Sequence, residues 1–213
     1  MGDVFQFLSS ASLEKLTGRK ASNLEEFLDL MKTCPDSSIF YHTFSAFMKL
    51  KEARVPYNNE FALWVYESLN EKALAEKLRA IDLLEYDNVK ELRKRLIDII
   101  EGHVDENPLC ERMIANEPFY LYDIVRVVFL TDKFAYDLGT FREGLAHISL
   151  YSIYYHFIES RLQTKLKTDD FSTWIEASMG MPDLANKIRK IDISVYTLEE
   201  LRSRILQYID ECL

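Results

Sequence analysis

Two histidines in matching local sequence are the residues of this chain best placed to do chemistry. His42 closes the run Ser38-Ile39-Phe40-Tyr41-His42, and His156 closes Ser152-Ile153-Tyr154-Tyr155-His156. An imidazole titrates near neutral pH and serves as acid, base or metal ligand. Residues three or four apart share a helix face, so Ser38, His42 and Ser45 line up away from an aromatic stripe, as do Ser152, His156 and Glu159. The first reading of each is a hydrogen-bonded structural histidine behind a capping serine. The others, in order, are a ligand-binding and a catalytic residue.

Tyr41 and Tyr155 beside them, with Trp64 and Trp174, read first as core aromatics. As a site, the two Tyr-His pairs would hold a ligand. Arg19-Lys20 after Thr17-Gly18 places two cations just before a helix start, an arrangement that can take an anion. Its counterpart, Asp132-Lys133-Phe134, lacks the glycine and one charge, so such a site would belong to the first half alone. Arg79/Asp82 and Arg189/Asp192 read as intrahelical ion pairs before they read as anion sites.

The recurrence extends well beyond the histidines. At an offset of 152 − 38 = 114, positions 5–42 match 119–156 at 10 of 38 places; at an offset of 171 − 61 = 110, positions 61–82 match 171–192 at 9 of 22. Leu92-Arg93 and Arg95 then align with Leu201-Arg202 and Arg204. This is the pattern of a tandem duplication. It predicts two homologous units, residues 1–100 and 118–213, joined by an ordered connector over 101–117, where Gly102, Asn107-Pro108 and Pro118 punctuate a short helical piece.

Within the first unit a helix is expected around Phe5 to Leu16, then a turn at Thr17-Gly18-Arg19-Lys20. Ser22 and Glu25 form a capping-box pattern for the next helix, which Pro35 stops. The helix carrying His42 has Phe40, Phe44, Phe47 and Met48 at spacings of three and four. Further helices start after Asn58-Asn59, at Ala73, and at Asn88, the last ending near Ile100; Thr197 with Glu200 caps the equivalent of that last one. Ile124 to Val128 is β-branched enough for a short strand.

Composition narrows the classes. The 213 residues carry 6 Gly and 5 Pro, which favours helices, and a net charge of −9, which weighs against nucleic acid and anionic membranes because affinity for both comes from Lys and Arg. The most apolar stretch, Phe119 to Leu130, is too short to span a bilayer and contains Asp123 and Arg126. The start, Met1 to Gln6, lacks the features of a signal peptide or myristoylation motif. Cys34, Cys110 and Cys212 are far apart in sequence, with neither a zinc spacing nor a disulfide framework. Catalytic signatures such as a Gly-rich phosphate loop, H-E-x-x-H or G-x-S-x-G are missing.

The runs Leu16-Thr17-Gly18-Arg19-Lys20-Ala21, Ser37 to His42, Asn59-Glu60-Phe61 with Trp64, and Leu74-Ala75-Glu76-Lys77 resemble a prokaryotic family of unknown function, with the signature present here as two copies. The resemblance implies a bacterial or archaeal cytosolic protein and carries no activity, cofactor or catalytic residue. The second copy departs from it at Asp132, Phe134 and Asn186.

The expectation is therefore an all-α protein of two helical units packed about a pseudo-twofold axis. Its expected function is that of a cytoplasmic, non-catalytic module that senses a ligand or binds a protein. The alternative is an enzyme with a site between the units that uses Tyr41-His42 and Tyr155-His156. Arg19 and Lys20 complete the candidate ligand-binding set. No catalytic residue, cofactor or metal is assigned, and nucleic acid and membrane are not expected partners.

Overall fold

The computed structural model describes residues 3–86, 88–163, 168–193 and 195–213. It is 59% helical and 17% strand, so the all-α expectation is wrong. Two strands of 17 residues, β1 (Phe5–Ala21) and β2 (Phe119–Ala135), pair antiparallel in a two-stranded sheet. The segment expected as a helix over Phe5 to Leu16 is the leading part of β1, and the supposed turn at Gly18 lies inside it. Burial alternates where each strand starts: Phe5 and Phe7 are buried with Gln6 between them, as are Phe119 and Leu121 with Tyr120 exposed between them. That two-residue period is what a strand against a core requires. Gly18 takes the left-handed conformation (φ +77°), which glycine adopts without the clash a Cβ would cause.

The helices follow the strands in the same order in both halves. After β1 come α1 (Leu24–Thr33), α2 (Asp36–Phe40), a π-helical turn over Tyr41–Ser45, α3 (Ala46–Glu52), α4 (Glu60–Glu67), α5 (Lys72–Arg79) and α6 (Val89–Glu106). After β2 come α7 (Leu138–His147), α8 (Leu150–Tyr154), a π-helical turn over Tyr155–Glu159, α9 (Ser160–Gln163), α10 (Asp170–Met179), α11 (Pro182–Arg189) and α12 (Leu198–Asp210). Side-chain caps set several starts: Asn59 for α4, Asn88 for α6, and Thr197 with Glu200 for α12. The cap of α1 is Asn23, which accepts from the Glu26 amide, and not Ser22 with Glu25. Asp137 with Thr140 caps α7 at the equivalent position. No described helix is long and apolar enough to cross a membrane.

The chain divides into two compact units, and the seam runs through the strands. One unit is the contiguous segment Leu13–Val125; the other combines Met1–Ser12 with Arg126–Leu213. In the first, Phe119 at the start of β2 packs against Phe27, Phe61 and Trp64, with ring centroids 5.2–5.6 Å apart. In the second, Phe5 and Phe7 at the start of β1 pack against Phe141 and Phe171, and Phe5 also meets Trp174. Each helical cluster thus fills its core with the leading segment of a strand distant in sequence. The indoles are placed alike, with Trp64 Nε1 donating to Glu117 O at 2.8 Å and Trp174 Nε1 to Asp3 O at 2.6 Å. Residues 101–117 are tied to the first of these units, Ala115 N donating to Ser22 O (2.7 Å) and Asn116 N to Ser68 O (2.8 Å).

Two outcomes follow from this packing. A fragment of residues 13–125 should unfold cooperatively in urea, whereas residues 1–105, lacking Phe119 to Val125, should not. Equal cooperativity of the two fragments by circular dichroism would rule out the strand segment as part of that core. Gly144 in α7 leaves room for Phe7, because a Cβ there would overlap the phenyl ring. Gly144→Ala, which in an open helix gains up to ~1 kcal/mol, should instead cost about 1–3 kcal/mol, and Phe7→Leu should relieve part of that loss.

Candidate functional site

Each signature histidine is the second residue of its π-helical turn, a wider turn often found where a helix serves a special purpose. In the unit Leu13–Val125, His42 is 1% exposed. Its Nε2 accepts the backbone N–H of Tyr122 at 3.0 Å, so the ring hydrogen sits on Nδ1 and is donated to Glu60 Oε2 at 2.5 Å. In the other unit, His156 Nε2 accepts the N–H of Leu8 at 2.7 Å, and Nδ1 donates to Asp170 Oδ2 at 2.7 Å. Tyr122 and Leu8 lie in β2 and β1 at the repeat offset. Each histidine therefore links a strand amide to a carboxylate in the first turn of a helix, α4 or α10, where the helix dipole favours negative charge.

Local sequence explains why the turn holds its shape. A π-turn leaves backbone carbonyls poorly matched, and hydroxyls take them up: Thr43 Oγ1 donates to Ile39 O (2.6 Å) and Ser160 Oγ to His156 O (2.5 Å). Aromatic rings close around both imidazoles. His42 lies 4.7 Å from Phe119 and 5.4 Å from Phe61, and His156 5.0 Å from Phe5 and 5.3 Å from Phe171. Ser152 Oγ donates to Leu8 O, so in that unit the helix meets both backbone groups of the same strand residue. Ser38, its counterpart, is fully buried, with no partner for its hydroxyl among the described residues.

A carboxylate–imidazole pair is also the base half of a nucleophilic site, but there the far nitrogen must face a nucleophile or substrate. Here it faces a strand amide in both units. The tyrosines offer no substitute. Burial, reinforced by the Glu14 carboxylate, pushes the Tyr41 phenol up to about 12, and burial raises Tyr155 as well. Both stay protonated at neutral pH and cannot act as bases. Lys49 lies over the Tyr41 ring, 4.9 Å from its centroid, and pairs with Glu14.

Arg19 and Lys20 border a shallow depression shared with Asn23, Glu25, Glu26 and Asp29. Arg19 Nη2 donates to Thr33 Oγ1 at 2.5 Å, and the amides at the start of α1 are engaged: Ser22 N donates to Glu26 Oε2 (2.7 Å) and Glu26 N to Asn23 Oδ1 (2.8 Å). An anion entering there would meet three carboxylates. Arg79 pairs with Glu76, and Arg189 with Glu176.

The chain belongs to a family of unknown function, DUF5752. The match runs over residues 2–210, nearly the whole chain. The structure of OrfY from Thermoproteus tenax is similar, with a TM-score of 0.81 and 26% identity over 98% of this chain and 95% of that one. No curated protein matches.

Glu60 and Asp170 were not among the residues singled out from sequence. The signal was an exchange of one carboxylate for another at the repeat offset, beside Phe61 and Phe171. Two further groups carry strong local electrostatics. Glu159 is 1% exposed and held by Arg126 at 3.0 Å, and burial raises its carboxyl despite that partner. Glu71, His103 and Cys110 converge in the unit Leu13–Val125.

Replacing His42 or His156 by Ala should each cost about 1–3 kcal/mol, the penalty of leaving a buried amide and a carboxylate without their partner. Hydrogen exchange locates the effect: the Tyr122 amide should exchange faster in the first variant and the Leu8 amide in the second. Unchanged protection at both amides would mean that the imidazoles do not hold the strands.

Proposed function

We propose that this protein is a non-catalytic interaction module whose docking element is the middle of β2. The supporting observation is a run of six exposed residues, Val125 to Leu130, in a strand that alternates where it is buried. Val127 is 59% exposed, Val128 45%, Phe129 47% and Leu130 69%, so side chains on both faces of the strand meet solvent. Contiguous exposed apolar surface of this kind marks interaction sites. Natural proteins usually blunt strand edges with charge or proline; this run carries one charge, Arg126, and that is paired with Glu159. Among the described residues β2 has a single strand neighbour, β1. A protein partner that adds an extended segment to β2 would satisfy the remaining backbone groups and cover the apolar side chains.

The enzyme alternative, built on Tyr41-His42 and Tyr155-His156, loses support from the same geometry, since a general base must reach a substrate and both imidazoles are committed to the protein. A small-molecule ligand at these residues or at Arg19 and Lys20 is weakened for the same reason. The reading includes a tandem duplication as the origin of the two matched sets of elements. A net charge of −9 and three free cysteines fit a protein of the reducing cytoplasm that does not bind nucleic acid.

A photo-cross-linking amino acid at Val128, introduced in cells, should give a discrete protein adduct that is lost when Leu130→Lys is added, with no adduct from the same probe at exposed Glu52. Leu130→Lys should keep the melting temperature, because an exposed substitution changes stability by no more than about 0.5 kcal/mol. No adduct at Val128, or one that survives Leu130→Lys, would remove the proposal.

A further inference from the structure

Glu71, His103 and Cys110 come from three separate segments of the unit Leu13–Val125. Glu71 precedes α5, His103 sits in the last turn of α6, and Cys110 ends a short 3-10 turn over Pro108–Cys110. One ligand-capable atom from each side chain lies within 4.8 Å of the other two. His103 and Cys110 are buried, while the Glu71 side chain is 22% exposed and forms the open side. His103 Nε2 contacts Glu71 Oε2 at 3.0 Å.

The second half supplies a control. At the repeat offset of 110, Glu71 corresponds to Met181, and at the offset of 109 that aligns Leu92 with Leu201, His103 corresponds to Cys212. Helix α12 stops at Asp210, five residues short of the length of α6, and Cys212 is exposed. The shared helical packing therefore does not require the Glu-His-Cys set, and α6 runs five residues past the point that matches the end of α12.

We propose that Glu71, His103 and Cys110 form a binding site for a zinc-class divalent cation. A thiolate, an imidazole and a carboxylate suit zinc or its cobalt surrogate, whereas magnesium and calcium prefer oxygen ligands. In a tetrahedral site with bonds of about 2.1 Å, neighbouring nitrogen and oxygen ligands are about 3.4 Å apart. The Glu71–His103 separation of 3.0 Å is already close to that, and the widest pair must close by about 1 Å. Three protein ligands leave one position for water on the Glu71 side. Binding displaces the thiol proton to solvent, so affinity should rise with pH.

Titration of the full-length, reduced, metal-stripped protein with Co2+ tests this. One equivalent should produce a thiolate-to-cobalt charge-transfer band together with the strong visible bands of four-coordinate cobalt, and Zn2+ should bleach both. Cys110→Ser should abolish the charge-transfer band, and His103→Gln should weaken cobalt binding at least about tenfold. Cys34→Ser and Cys212→Ser should change neither. Glu71→Gln can keep its hydrogen bond to His103, so it tests the site even if a core variant misfolds, and it should also weaken binding. Absence of the band in the wild type, its persistence in Cys110→Ser, or its loss in Cys212→Ser would overturn the site.

Discussion

The structure depends on a backbone problem: each helical cluster buries a strand segment that has, among the described residues, one other strand to pair with. A buried amide or carbonyl without a partner costs a few kcal/mol, and a two-stranded sheet serves one edge of each strand. Side chains must meet what remains. His42 takes the Tyr122 amide and His156 the Leu8 amide; Ser152 serves the Leu8 carbonyl, and the two tryptophans serve the carbonyls of Glu117 and Asp3. Thr17 and Thr131 do the same within the ribbon, donating to Leu121 O and Phe7 O at 2.7 and 2.5 Å. The recurring Thr17/Thr131, His42/His156 and Trp64/Trp174 are explained by this one requirement.

That requirement also accounts for the apparent chemistry of the histidines. A neutral imidazole is a donor and an acceptor on opposite sides of one ring, so it can join a strand amide to a carboxylate some distance away. Glu60 and Asp170 make the tautomer definite by accepting from Nδ1, which leaves Nε2 with its lone pair toward the strand. A catalytic dyad uses the same polarity to activate a substrate. Here the substrate's place is filled by the chain, and the result is a clamp.

Much of the helical part was legible in the sequence. Asn59, Asn88, and Thr197 with Glu200 announced their helices through cap chemistry. The strands were missed because Phe5, Leu8, Leu13 and Leu16 also fit helical spacing, and because alternation lasts only as long as β1 is buried; residues 11–16 are all exposed. In β2 the Ile124 to Val128 run is β-branched, and residues 10–14 lie at the same offset of 114 in β1. The π-turns were not readable, since the extra residue leaves the aromatic spacing intact. The Glu71-His103-Cys110 cluster was also out of reach, because its members are 32 and 7 residues apart and meet only through tertiary packing.

Comparison of the halves within one chain separates scaffold from specialisation. Residues held in common, such as Trp64/Trp174 and His42/His156, do equivalent work in both units, and so they report how the fold is maintained. Function is better sought where the halves diverge. Lys49 and Glu14 pair at the surface of one unit, whereas Arg126 reaches a nearly buried Glu159 in the other. The middle of β1 reads Ala-Ser-Leu-Glu-Lys-Leu, and the same stretch of β2 reads Val-Arg-Val-Val-Phe-Leu. Both are exposed, so the fold does not demand the apolar version. Five large apolar residues stand in solvent on β2 where the matching stretch of β1 has two, a difference that the packing of the strands does not account for.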